Sequence, residues 1–214
     1  MSPGADRHPG TSAFRGPGCA TISGVQFSLF GAEAETPLLL DLDGLLLAGG
    51  DWVRTDRETA ARLSVLVADQ WRAAGLHAEF ELRGLGSDTA PAPGGLIAVR
   101  TEITEVLRPY AARWTRGASL RTPDDLALTA SGLRLWAIAA GRLDEAGYLL
   151  GMSDDDSRLH RAGGAQLARL GVTAVDIGAR GGPGWRVTSA KRLRRLAELI
   201  GPAPDGATGS WPAD

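Results

Sequence analysis

Leu42-Asp43-Gly44-Leu45-Leu46-Leu47-Ala48-Gly49-Gly50 is the stretch on which the reading of the fold turns. Its leucines make it an apolar helix. The helix reaches back to Pro37, because Thr36-Pro37 supplies a cap and then a proline whose missing N–H is no loss in a first turn. Gly49-Gly50 stops it, since glycine readily takes the conformation that closes a helix. Asp41 and Asp43 fall about two turns ahead of Gly49 and read as surface positions. Downstream, Trp52-Val53-Arg54 and Ala61 to Val67 read as strands; in the second, Leu63, Val65 and Val67 alternate with Arg62, Ser64 and Leu66. Asp69 caps a second helix through about His77. Ala78 to Leu82 and Gly95 to Arg100 form a hairpin across a Gly/Pro loop. A closing helix runs from Ile103 to Trp114, with a kink expected at Pro109.

The same order returns after the polar stretch Gly117 to Asp125. Leu126 to Ala140 is a helix ended by Gly141, and Tyr148 to Met152 a strand. Ser153-Asp154-Asp155-Asp156 caps a helix to Leu170, ended by Gly171; acids are favoured at that end of a helix. Val172 to Gly178 and Trp185 to Thr188 pair across Gly181-Gly182-Pro183-Gly184. Ser189 caps the last helix, Ala190 to Ile200, ended by Gly201. An internal duplication organises the chain, 37–117 and 126–201. Residues 1–24 and 202–214, rich in Gly, Pro and Ser, read as disordered tails, and 25–36 as a linker.

The apolar fraction of 43% supplies a core for these halves. A net charge of −2 excludes a polybasic nucleic-acid binder, so any such surface is a local patch. One lysine, Lys191, stands against 22 arginines, the bias of a high-GC bacterial genome, which makes arginine the default cation. The single cysteine, Cys19, allows no internal disulfide and no CxxC zinc pair. Neither an apolar run of membrane-spanning length nor a signal core is present, so the cytoplasm is expected.

The Leu42–Gly50 stretch is similar to the signature helix of LAGLIDADG homing endonucleases, matching in its leucines, Gly44, Ala48 and Gly50. Leu133-Arg134-Leu135-Trp136-Ala137-Ile138-Ala139-Ala140-Gly141 is a poorer second copy, and the order of elements after each also fits. The resemblance implies an α/β (α+β) fold of two αββαββα half-domains, with mixed or antiparallel sheets forming a saddle between flexible termini. In that family the acid before the last glycine of each motif binds a divalent metal. Gly49 and Ala140 hold those positions here, and neither offers the carboxylate oxygen that a hard cation needs. The resemblance thus implies the fold and DNA contact without nuclease chemistry. The pattern is similar to that of the WhiA-like regulators, whose LAGLIDADG-like domain lacks the nuclease acids, although no helix-turn-helix tail is visible here.

A DNA-binding saddle uses the sheet face opposite the helices. Strand alternation puts Arg62 with Ser64 on one face, Leu96 and Ala98 with Arg100, and Arg186 with Thr188. Between 178 and 196, Arg180, Arg186, Lys191, Arg192, Arg194 and Arg195 occur with no acid among them. The candidate phosphate contacts are Arg62, Arg100, Arg180, Arg186, Lys191 and Arg194. A solvated helix face explains Arg192 and Arg195 equally well.

Gln26-Phe27-Ser28-Leu29-Phe30 resembles the bacterial sliding-clamp-binding motif, Gln-Leu-Ser/Asp-Leu-Phe, with Phe27 in place of leucine. The resemblance implies an extended peptide on a preformed groove, with Leu29 and Phe30 in its apolar part and Gln26 hydrogen-bonded at a smaller subsite. The other reading is an N-terminal strand with Phe27 and Leu29 on a sheet and Gln26 and Ser28 outward; Phe30 breaks that alternation. No HExxH, GxSxG or phosphate loop occurs, and His8, His77 and His160 lie apart. The expectation is a non-enzymatic, clamp-binding accessory protein of DNA replication or repair, nucleoid- or replisome-associated. Its partners are the bacterial DNA polymerase sliding clamp and double-stranded DNA, without membrane, metal or small-molecule cofactor. The alternative is a nuclease-dead, DNA-binding transcription or nucleoid regulator without clamp contact.

Overall fold

A computed structural model describes residues 1, 32, 35–55, 59–116, 119–153, 157–178 and 182–212. The first 24 residues after Met1, the Gln26–Phe30 motif, the Asp154-Asp155-Asp156 cap and Arg180 lie outside the described residues.

A 3-10 turn at Leu39–Leu42 leads into α1 (Asp43–Leu47). Strands β1 (Asp51–Arg54) and β2 (Ala61–Val67), helix α2 (Gln70–Glu81), strands β3 (Ser87–Pro91) and β4 (Ile97–Thr101) and helix α3 (Arg108–Trp114) complete the first half. A two-residue pair, β5 (Thr115–Arg116) with β6 (Ser119–Leu120), starts the connection. The second half is α4 (Ala130–Ala140), β7 (Gly141–Asp144), β8 (Gly147–Gly151), α5 (Ser157–Arg169), β9 (Val175–Ile177), β10 (Gly184–Val187) and α6 (Ala190–Ile200). Both halves run αββαββα. Their antiparallel sheets have the same order, β1-β2-β4-β3 and β7-β8-β10-β9. The duplication read from the sequence is therefore present in the topology.

The halves meet along α1 and α4. A Cβ on Gly44 would lie 1.9 Å from the Gly132 carbonyl oxygen, so that crossing admits only glycine. Around this seam Leu42, Leu45, Leu46, Leu133, Leu135 and Trp136 are buried. Alternation in β2 holds: Leu63, Val65 and Val67 are buried, while Arg62 and Ser64 are only partly so and Leu66 is exposed. The last helix ends as its sequence indicates. The Ser189 hydroxyl accepts from the Arg192 N–H, and Gly201 closes with φ of 68°.

Several expectations are corrected. Ala78 to Leu82 is not a strand: α2 runs through Glu81, because Ala73, Leu76 and Phe80 form a buried helical stripe that outweighs the local alternation. The partner of β4 is instead Ser87–Pro91. Pro109 kinks nothing; it sits in the first turn of α3, where its missing N–H is free of consequence. Helix α4 starts at Ala130, since the Thr129 hydroxyl caps it by accepting from Gly132 N–H, and Leu126 and Leu128 are buried ahead of the helix. β7 follows directly on α4. Residues 202–212 are not a loose tail. Ala207 and Trp211 are buried, and the Trp211 indole N–H donates to Gly201 O at 2.9 Å. Pro204 packs at Gly75, and Gly206 at Trp71.

Asp41 and Asp43 are not surface residues; each is 2% exposed. The Asp41 carboxylate accepts from Leu38 N–H (2.8 Å), Arg83 Nη2 (2.9 Å) and the Thr129 hydroxyl (2.7 Å), which ties the first half to the cap of α4. Glu79 extends this cluster, accepting from Arg83 Nη1 at 2.8 Å and Arg134 Nε at 2.6 Å. Asp43 accepts from Trp114 Nε1 at 2.6 Å and pairs with Arg113 at 3.1 Å. Acids beside an apolar helix look solvated in one dimension. Here each meets cations and donors from remote segments, which offset the cost of burial.

Candidate nucleic-acid interface

The face of each sheet turned away from the helices is the candidate surface. In the first sheet, the pairing of Asp51 with Ser64, Ser64 with Arg100, and Arg100 with Asp88 makes one row across four strands. Arg62 lies on the same face beside Val53. In the second sheet the corresponding row is Arg142, Leu149, Arg186 and Val175. Arg100 and Arg186 thus occupy equivalent strands of the two halves. Arg186 Nη1 donates to Asp144 Oδ1 at 2.8 Å, which holds the guanidinium over the sheet. The Nε donors of Arg62 and Arg186 are buried and have no hydrogen-bond partner among the described residues.

Of the six candidate cations, Arg62, Arg100 and Arg186 share these faces. Lys191 and Arg194 do not. They are exposed on α6, which packs on α4 in the helical layer, so they belong to a different surface. The run 178–196 mixes a strand and a helix whose side chains diverge. Arg142 was missed in the sequence. Its signal was the alternation of Gly141 and Leu143 with Arg142 and Asp144 ahead of a tight turn at Gly147. The nearby acidic residues Asp51, Asp88 and Asp144 keep the field over this face weak. Phosphate contact here would come from individually placed arginines rather than from a strong basic potential.

Between the sheets lie the carboxyl-terminal ends of α1 and α4, where the LAGLIDADG resemblance places metal-binding acids. Gly49 has φ of 92°, and a Cβ there would lie 3.5 Å from Ser153 Cβ. The equivalent rows Asp51–Ser64–Arg100 and Arg142–Leu149–Arg186 pair Gly49 with Ala140, and neither carries a carboxylate. The end of α4 is instead taken by Arg72, which is 8% exposed. Its Nη1 donates to Ile138 O at 2.7 Å, Nη2 to Gly141 O at 2.6 Å, and Nε to Asp69 Oδ2 at 2.9 Å. Next to it, the Tyr148 hydroxyl is buried without a partner among the described residues, and burial pushes its pKa well up. The residues at these helix ends do not fit a divalent metal, and no group of three His, Cys, Asp or Glu among the described residues could hold one.

His77 and His160 are also engaged. His77 Nδ1 lies 2.5 Å from Ser87 Oγ, and its Nε2 is 3.4 Å from Glu81. His160 Nε2 is 2.8 Å from Asp176, and its carbonyl accepts from Trp185 Nε1 at 3.0 Å. The first cluster is exposed and borders a shallow pocket of about 320 Å³.

No protein-family model matches the chain, and no curated protein matches it in sequence. Solved structures do match in shape. The homing endonuclease I-WcaI bound to its DNA recognition sequence aligns over 79% of this chain and 84% of its own, with a TM-score of 0.55 and 11% identity. Full-length DUF199/WhiA from Thermatoga maritima aligns over 77% of this chain and 55% of its own, with a TM-score of 0.54 and 13% identity. The N-terminal LAGLIDADG domain of DUF199/WhiA aligns over 77% and 82%, with a TM-score of 0.52 and 16% identity. At these identities the likeness establishes the fold: a duplicated LAGLIDADG-like α/β architecture, as the Leu42–Gly50 stretch indicated.

Proposed function

We propose that this chain is a double-stranded-DNA-binding protein of regulatory type, with a LAGLIDADG-like saddle kept for contact and no cleavage centre. One observation carries the reading. The corresponding strands β4 and β10 both present an arginine, Arg100 and Arg186, on the open face, while the helix ends between the sheets hold Gly49 and Ala140 in place of acids. The likeness to a DNA-bound endonuclease and to WhiA supports the DNA-contact part. The WhiA likeness and the missing acids support the non-enzymatic part. No helix among the described residues is long and apolar enough to cross a membrane. The test is fluorescence anisotropy of labelled duplex DNA at stepped salt, with and without Mg²⁺. Saturable, salt-sensitive binding without strand scission is expected. Absence of binding at low salt, or metal-dependent cleavage, refutes the reading.

A second function, docking to the bacterial sliding clamp through Gln26, Phe27, Ser28, Leu29 and Phe30, is favoured by the position of the motif. It ends two residues before Ala32, which is buried and whose carbonyl accepts from the Ser131 hydroxyl at 3.4 Å. A peptide there would be tethered close to the start of α4. The full chain should bind the clamp, and Leu29→Ala/Phe30→Ala should abolish that binding; equal affinity of the two proteins removes this function and leaves the DNA reading intact.

A further inference from the structure

We propose that Arg72 is a built-in cation that has taken over the carboxyl-terminal end of α4, so that the space between the two seam helices rejects divalent metal even when acids are put back. The last carbonyls of a helix carry partial negative charge and lack intrahelical donors, which is why a cation is stabilising there. Arg72 meets that need from the other half of the molecule. Two of its nitrogens donate to Ile138 O and Gly141 O, and a third to Asp69. The guanidinium carbon also lies 4.4 Å from the centre of the Trp71 ring, which fixes the group from a further side. A planar fork held at this many points is pre-organised, and it cannot shed its proton to make room for another cation.

The consequence is electrostatic. A divalent ion placed at the α4 end would stand within a few ångströms of a buried, permanently charged guanidinium, in surroundings that screen charge poorly. The helix carbonyls that could help ligate it already accept from Arg72. Loss of nuclease chemistry is therefore not only the absence of two acids at Gly49 and Ala140. The vacated charge position has been refilled by the protein, and the same contact now joins the halves. This goes beyond the proposed function and stands apart from DNA contact.

Terbium(III) luminescence provides the test, because Trp71 lies beside the site as a sensitiser. The probe is Tb³⁺ alone, titrated into the wild-type chain, into Gly49→Asp/Ala140→Asp, and into the same pair combined with Arg72→Met. The wild type and the double variant should show the same weak background from exposed carboxylates. The triple variant should bind at least about tenfold more tightly, as removal of a neighbouring charge requires. Equal tight binding by the double and triple variants overturns the proposal. So does a folded triple variant that binds no better than wild type, with folding judged by circular dichroism. If the triple variant does not fold, the Tm of the folded double variant decides the matter. It should be the same in EDTA, Mg²⁺ and Mn²⁺, and a saturable rise with either metal overturns the proposal. Loss of duplex binding in the wild type would refute the functional reading and leave these outcomes unaffected.

Discussion

Replacing Gly44 with alanine tests the seam directly. The new Cβ would lie 1.9 Å from the Gly132 carbonyl oxygen, and reaching even a tight 3.0 Å contact requires α1 and α4 to separate by about 1.1 Å. The obstacle is backbone, which has no rotamer to turn aside. Overpacking of this kind costs about 1–3 kcal/mol in ordinary cores, and the upper end applies here. Alanine is also the better helix former by about 1 kcal/mol, which acts in the opposite direction. The net loss is about 2 kcal/mol, or a Tm lower by about 4–8 °C for a domain of this size. Thermal unfolding followed by circular dichroism measures it. Gly209→Ala is the control, since nothing lies within 4 Å of a Cβ there, and it should leave Tm unchanged. A Gly44→Ala protein as stable as the parent would show that the two helices do not cross at this point.

Four further outcomes follow from the same contacts. Asp41→Ala removes one of the two carboxylates that hold the buried Arg83 guanidinium, Glu79 remaining, and should cost about 1–3 kcal/mol in urea unfolding; no measurable loss would mean the pair is dispensable. Trp211→Ala should cost about 3–5 kcal/mol, because the indole is buried and lies 5.6 Å from the Arg134 guanidinium, and no change in stability would return 202–212 to the status of a tail. Burial raises the pKa of Asp43 above its ordinary 3.8 despite the opposing contacts with Trp114 and Arg113. Its contribution to stability is therefore full below 3.8 and is lost as pH rises through the raised folded value, so Asp43→Asn should flatten the pH–stability curve in that window and an unchanged curve refutes the assignment. If Arg62, Arg100, Arg142 and Arg186 each meet a phosphate, the slope of log K against log salt is about −3.6; Arg142→Ala/Arg186→Ala should reduce its size by about 1.8, and an unchanged slope moves the DNA elsewhere.

Local patterns made much of the architecture readable. Periodicity located β2, the Ser189 cap and Gly201 bounded α6, and the family resemblance carried by Gly44 and Ala48 implied a helix packed at close approach. The failures arose where a remote partner decides the outcome. Asp41 and Asp43 look like solvated acids until Arg83, Arg113 and Trp114 are brought to them from elsewhere in the chain. Ala78 to Leu82 alternates like a strand, yet Phe80 completes a stripe with Ala73 and Leu76 that only the helix can bury. Arg186 could be assigned to a sheet face by counting, whereas Lys191 and Arg194 were grouped with it because linear proximity says nothing about where α6 packs. Arg72 gave no signal at all; its carbonyl partners are 66 and 69 residues away in sequence.

Residues 202–212 lie against Gly75 and Trp71 of the first half although they are made after the whole second half. On the ribosome, then, α2 emerges early and keeps an apolar side open until residues 202–212 have been synthesised. Chaperones have that interval in which to recognise the nascent chain, and an early stop codon ahead of Pro204 would prolong it indefinitely.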